Sequence, residues 1–209
     1  MKTKDMVIVA LFAAIIIVMA SVPFLGYIPL GVINATVIHV PVIIGSVILG
    51  PEKGAFLGGV FGLTSLITNT VKPNLTSFAF SPFLSVQMAE GNMYLTLWYI
   101  IASLIICFLP RILTGVVPYY ITKLFKKFTK SEALGFGAAG LAGSFTNTLL
   151  VMNLIYLFYK TPYAQARGCD VSALYGLILS IIGINGSVEA VCAAILTCII
   201  AKALKKAKI

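Results

Sequence analysis

The sequence predicts an all-α bundle of six transmembrane helices folded as a single domain. Of its 209 residues 60% are hydrophobic, only 10% are charged, and the apolar residues fall into six runs separated by short polar stretches. An ordinary soluble domain is roughly 45–50% apolar and about a quarter charged. The bilayer is therefore the expected solvent, and no connecting segment is long enough to form a soluble catalytic domain.

The runs lie near residues 6–25, 36–50, 54–70, 95–122, 133–158 and 173–201, where about 20 residues cross the ~30 Å of hydrocarbon. The first begins MKTKDMVIVALFAAIII. Its basic start suits a signal peptide, but the run continues with no A-x-A exit before Pro23, so it reads as a span. Ala10 and Ala14 in A-x-x-x-A spacing, with Ala13 beside them, give one face of this helix small side chains. Such a face either packs within the bundle or docks a partner subunit.

Runs two and three are short and joined by Gly50-Pro51-Glu52-Lys53-Gly54, which predicts a tight turn between paired helices, because proline cannot continue a helix. His39 near the outer end of the second run reads first as a packed, hydrogen-bonded residue. It is the one histidine in the chain, so no histidine metal site is signalled.

In the fourth run Arg111 follows Pro110 at mid-depth. A charge there costs at least about 2.5–3.5 kcal/mol and needs a partner or a cavity. Arg111 either pairs with Glu189 of the sixth run, receives an anionic ligand through its forked guanidinium, or snorkels toward the cytoplasmic side. The fifth run contains Gly135-Phe-Gly137-Ala-Ala-Gly140, which matches GxGxxG. No strand precedes it, so it predicts close helix packing and not nucleotide binding. Thr146, Asn147 and Asn153 give this run polar positions, and Asn185 and Glu189 share one face of the sixth.

Orientation follows from the basic residues. With the N-terminus cytoplasmic, the inner segments hold eleven lysines (2, 4, 53, 123, 126, 127, 130, 202, 205, 206 and 208) and the outer segments hold Lys72, Lys160 and Arg167. That asymmetry predicts both termini inside. It also explains most of the net charge of +9 through membrane borders and anionic lipid head groups, and not through nucleic acid. The outer segments 26–35, 70–94 and 159–172 are rich in proline, aromatic and amide residues, as loops closing over a ligand would be. Phe78, Phe80, Phe83, Tyr94 and Trp98 read as an interfacial aromatic belt.

No GxxxxGK[ST], HExxH, GxSxG or CxxC pattern occurs, and the four cysteines form no paired motif. The chain is expected to be neither an enzyme nor an ATPase, and to hold no metal or cofactor.

The block GYIPLGVINATVIHVPVIIGSVILGPEKGAFLGGVFGL at 26–63, the alanine-bearing first helix and PRILTGV at 110–116 resemble the S components of energy-coupling factor (ECF) vitamin transporters. Within that family INATVIHVPVIIG is most similar to the pantothenate-specific members. The resemblance implies a multi-pass protein of the cell membrane with both termini cytoplasmic and a vitamin pocket near its outer surface. It also implies docking through Ala10 and Ala14 to a transmembrane coupling subunit, with two cytoplasmic ATPases consuming the ATP. Pantothenate is a small anion with one carboxylate, one amide and two hydroxyls. Arg111 or Lys72 would take the carboxylate, and Asn34, Thr36, His39, Asn74, Asn147 and Asn185 are available for its other groups. Three other readings stay open: an S component for another vitamin such as riboflavin, an autonomous ion-coupled transporter using Arg111 and Glu189, and a structural subunit that binds no small molecule.

Overall fold

The computed structural model describes residues 3–30, 33–89, 91–129 and 131–207. Six principal helices form the bundle: α1 (Thr3–Ser21), α2 (His39–Leu49), α3 (Pro51–Val71), α4 (Met93–Phe128), α5 (Glu132–Arg167) and α6 (Leu174–Lys206). All but α2 are long and apolar enough to cross a membrane. Their outward faces carry large apolar side chains, such as Leu11, Phe56, Trp98, Leu157 and Ile199, at half exposure or more. This is the surface that lipid would cover.

The expected six runs are present, and the differences are at their edges. α2 has only 11 residues, about 16 Å at 1.5 Å per residue. It is buried around its whole circumference from His39 to Ser46, as a helix apolar on every side must be. Ahead of it, residues expected to form a loop pair as an antiparallel hairpin, β1 (Tyr27–Leu30) with β2 (Ile33–Thr36), in register Tyr27 opposite Thr36. The segment after α3 is built from single helical turns at Ser77–Ala79, Pro82–Ser85 and Val86–Ala89.

α5 continues through residues expected to lie in a loop. It kinks at Tyr159, whose φ and ψ are −126° and 27°, because the ring of Pro162 clashes with the carbonyl four residues back. It then runs on to Arg167 and stops at Gly168, which takes the left-handed conformation at φ 65° that glycine adopts without steric cost.

Ion pairs tie the end of the bundle that carries the chain termini. Lys53 in the α2–α3 turn reaches Asp5 at 2.6 Å, and Lys205 pairs with Glu132. Two apolar clusters fill the interior. One surrounds α2, with Phe12, Ile16, Ile43, Leu57 and Phe61. The other lies toward the hairpin end, where Tyr159 stacks on Tyr99 at 5.0 Å and donates its hydroxyl to the Tyr99 carbonyl at 2.6 Å.

Candidate functional site

Between the two clusters a cavity of about 200 Å³ opens at the hairpin end. α1 contributes Ala20, β2 and the step into α2 contribute Thr36 and Ile38, and α3 contributes Phe61, Thr64, Ser65, Thr68 and Asn69. Asn74 and Phe80 close it from the segment after α3, Arg111 from α4 and Asn147 from α5.

Arg111 is 6% exposed, and its placement follows from its neighbour. Pro110 has no N–H to give the carbonyl of Ile106 one turn back, and the Arg111 Nη1 donates to that carbonyl at 2.6 Å. Nη2 donates to the Ser65 hydroxyl at a longer 3.4 Å. The rings of Phe61 and Phe80 lie 5.5 and 5.1 Å from the guanidinium carbon, within range of cation–π attraction. Cys107 fixes Phe80 by donating its thiol to the Phe80 carbonyl at 3.1 Å.

A hydrogen-bonded loop braces the rim. Asn69 donates its amide to the Ser65 carbonyl and accepts from the Ser77 hydroxyl, both at 2.8 Å, and the Asn74 N–H donates to that same hydroxyl at 2.9 Å. The Asn74 side chain accepts from the N–H and hydroxyl of Thr76. Asn147 differs from these braced amides. Its buried Oδ1 has no protein donor among the described residues, and such an acceptor calls for a water or a ligand.

Of the residues expected at the site, Thr36, Asn74, Arg111 and Asn147 line this cavity. His39 is buried at the start of α2, neither ring nitrogen has a partner among the described residues, and it is not among the lining residues. Lys72 is exposed at the end of α3 and borders an adjoining groove that shares Ala20 and Thr68 with the cavity. Asn185 lies in a π turn of α6, outside the lining. The side chain of Asn34 lies outside the described residues; its backbone belongs to β2. Thr146 and Asn153 bond the carbonyls four residues back in their own helix.

Glu189 has partners of its own: its carboxylate accepts from the Thr36 N–H and the Thr148 hydroxyl. The aromatic belt divides. Phe83, Tyr94 and Trp98 face outward, Phe78 is buried against Tyr159, and Phe80 lines the cavity. Ser65 and Thr68 were not singled out from the sequence. Their signal is a row of small hydroxyl residues near the end of α3, one turn before the braced Asn69.

A family profile described as "ECF transporter, substrate-specific component" matches residues 4–201, nearly the whole bundle just described. The chain belongs to this family of ECF S components. Among its relatives is the pantothenic acid transporter PanT of Lactococcus lactis subsp. cremoris, 39% identical over 208 residues, covering 99% of this chain and 96% of that protein. The pantothenate transporter PanT of Leuconostoc mesenteroides is 29% identical over 214 residues, covering 97% of this chain and 93% of that one. As an S component with five long apolar helices, the chain is a multi-pass membrane protein of the vitamin-transporter class.

Proposed function

We propose that this S component captures pantothenate at the hairpin end of the bundle and delivers it across the membrane with a coupling subunit and two ATPases. The observation that carries the reading is Arg111, a buried guanidinium set between two aromatic rings on the wall of a polar cavity. A guanidinium fork presents two parallel donors to a carboxylate. Asn147, Asn74 and the hydroxyls of Thr36, Thr64, Ser65 and Thr68 then surround the amide and hydroxyls of the ligand. Two near full-length relatives named for pantothenate transport support the same ligand. The cavity is below the ~300–1,000 Å³ common for drug-sized ligands, which favours a short flexible vitamin over the three-ring system of riboflavin.

The lysine asymmetry supports the orientation, with the hairpin end outside and both termini cytoplasmic. Calorimetric titration of the purified chain tests the assignment. Saturable binding of pantothenate, with none of riboflavin or folate, is the expected result, and binding of another vitamin in its place would overturn the ligand.

The partner surface in this reading is α1, which leaves most of its length uncovered, including Ala10 and Ala14. Beside them an apolar groove of about 490 Å³ runs past Met6, Val9, Ala13 and Phe56. Small residues on an exposed transmembrane face let another helix approach closely. Replacing Ala10 and Ala14 together by leucine is expected to leave pantothenate affinity unchanged and to reduce co-purification of the coupling subunit about tenfold. Undiminished co-purification would remove α1 as the docking helix.

A further inference from the structure

Glu189 is a buried carboxylate to which the capture role assigns no task. It is 8% exposed, and a carboxylate shut away from water needs donors. Its Oε1 accepts the backbone N–H of Thr36 at 2.9 Å, and its Oε2 accepts the hydroxyl of Thr148 at 3.3 Å. One side chain of α6 thus joins strand β2 to helix α5.

The backbone on both sides is arranged for this contact. A π turn, Ile182–Gly186, directly precedes the regular stretch Ser187–Lys206 that carries Glu189. A π turn inserts an extra residue and re-aims the helix that follows. Gly186 leaves room for Thr148, since a Cβ at 186 would stand 3.2 Å from the Thr148 Cγ2. On the hairpin side, Thr36 is paired with Tyr27, and the next N–H, of Val37, donates to the Gly26 carbonyl at 3.0 Å. Thr36 and Ile38 both line the cavity. The residue that Glu189 holds therefore belongs to the cavity wall.

We infer that Glu189 is a positioning residue that latches the hairpin against α5 and α6 and so sets how long a ligand stays in the cavity. The retention half rests on the pocket assignment above; the latch itself does not. The latch needs acceptor geometry and not charge. Glutamine keeps a carbonyl for the Thr36 N–H and presents an amide to the Thr148 hydroxyl, whereas alanine removes both contacts.

The test uses the full-length protein in detergent. Hydrogen exchange of the peptide spanning residues 27–38 is followed without ligand, and pantothenate association and dissociation rates are measured in parallel. Glu189→Ala is expected to speed exchange of this peptide about tenfold or more and to speed dissociation by a similar factor, with association little changed. Glu189→Gln is expected to match the wild type in both. Should Glu189→Ala not fold, Thr148→Val removes one donor and is expected to give a smaller acceleration of the same sign.

Unchanged exchange of this peptide in Glu189→Ala, or in Thr148→Val where the alanine variant does not fold, overturns the latch, and so does a glutamine variant as fast as alanine. Wild-type protein that binds no pantothenate overturns the retention half together with the pocket assignment, while the exchange arm still decides the latch.

Discussion

Arg111→Ala is expected to weaken pantothenate binding by roughly 30- to 150-fold, or about 2–3 kcal/mol, the range for charge-assisted hydrogen bonds lost from a buried site. The substitution acts twice. It removes the fork that would meet the carboxylate, and it strips the Ile106 carbonyl of the donor that stands in for the missing N–H of Pro110. The second effect destabilises the protein without any ligand, so a melting experiment alone would mislead. Ligand chemistry separates the two. The alcohol analogue of pantothenate, which lacks the carboxylate, is expected to bind the wild type and Arg111→Ala with similar affinity. If the variant still prefers the acid over the alcohol as the wild type does, or binds the acid with unchanged affinity, Arg111 is a structural residue and the carboxylate lies elsewhere. Arg111→Lys keeps the charge but not the planar fork, and is expected to fall between the two.

The bundle was legible in the sequence because the bilayer constrains it so strongly. Runs of apolar residues and a Gly-Pro turn leave few arrangements open. Arg111 was legible for the same reason: a charge at mid-depth has to face something. The polar loops were harder. Nothing in GYIPLGVINAT alternates clearly enough to announce a hairpin, and Pro29 argues against a strand except at an edge. Depth and residue type also could not sort the amides. Asn69 and Asn74 mainly brace their own loop, Asn153 turns to its own helix, and Asn147 leaves a buried acceptor with no protein donor among the described residues. Those outcomes depend on which face of a kinked or interrupted helix a residue reaches. Pro162 marks the kink at Tyr159 without saying whether the helix ends there or runs on, and the π turn at Ile182–Gly186 has no sharp local signature. Arg111 and Glu189 were weighed as a pair because both lie deep in the bundle, yet depth says nothing of azimuth. Each finds hydrogen-bond partners on its own side.

A glycine stripe in α3 passed unremarked in the sequence and underlies the second large effect. Gly54, Gly58 and Gly62 recur every four residues on one face, and α4 answers in antiparallel order with Gly115, Arg111 and Cys107. A Cβ at Gly54 would overlap the Gly115 carbonyl, and one at Gly58 would overlap the carbonyl of Arg111 itself. At Gly62 the Cβ would come within 2.9 Å of the Cys107 carbonyl. Closely approaching backbones of this kind are how helices bind one another in lipid, where apolar side chains gain little by leaving the tails. Gly59 provides an internal control, because a Cβ there meets nothing within 4 Å. Gly58→Ala is expected to destabilise the protein by about 1–3 kcal/mol through overpacking and to weaken pantothenate binding, since the strain falls on the backbone that carries Arg111. Gly59→Ala is expected to be neutral or slightly stabilising, given the preference of helices for alanine. Thermal unfolding in detergent and a binding titration on both variants decide it. Equal behaviour at 58 and 59 would mean that α3 and α4 are not held by this seam, and that the position of Arg111 has another cause.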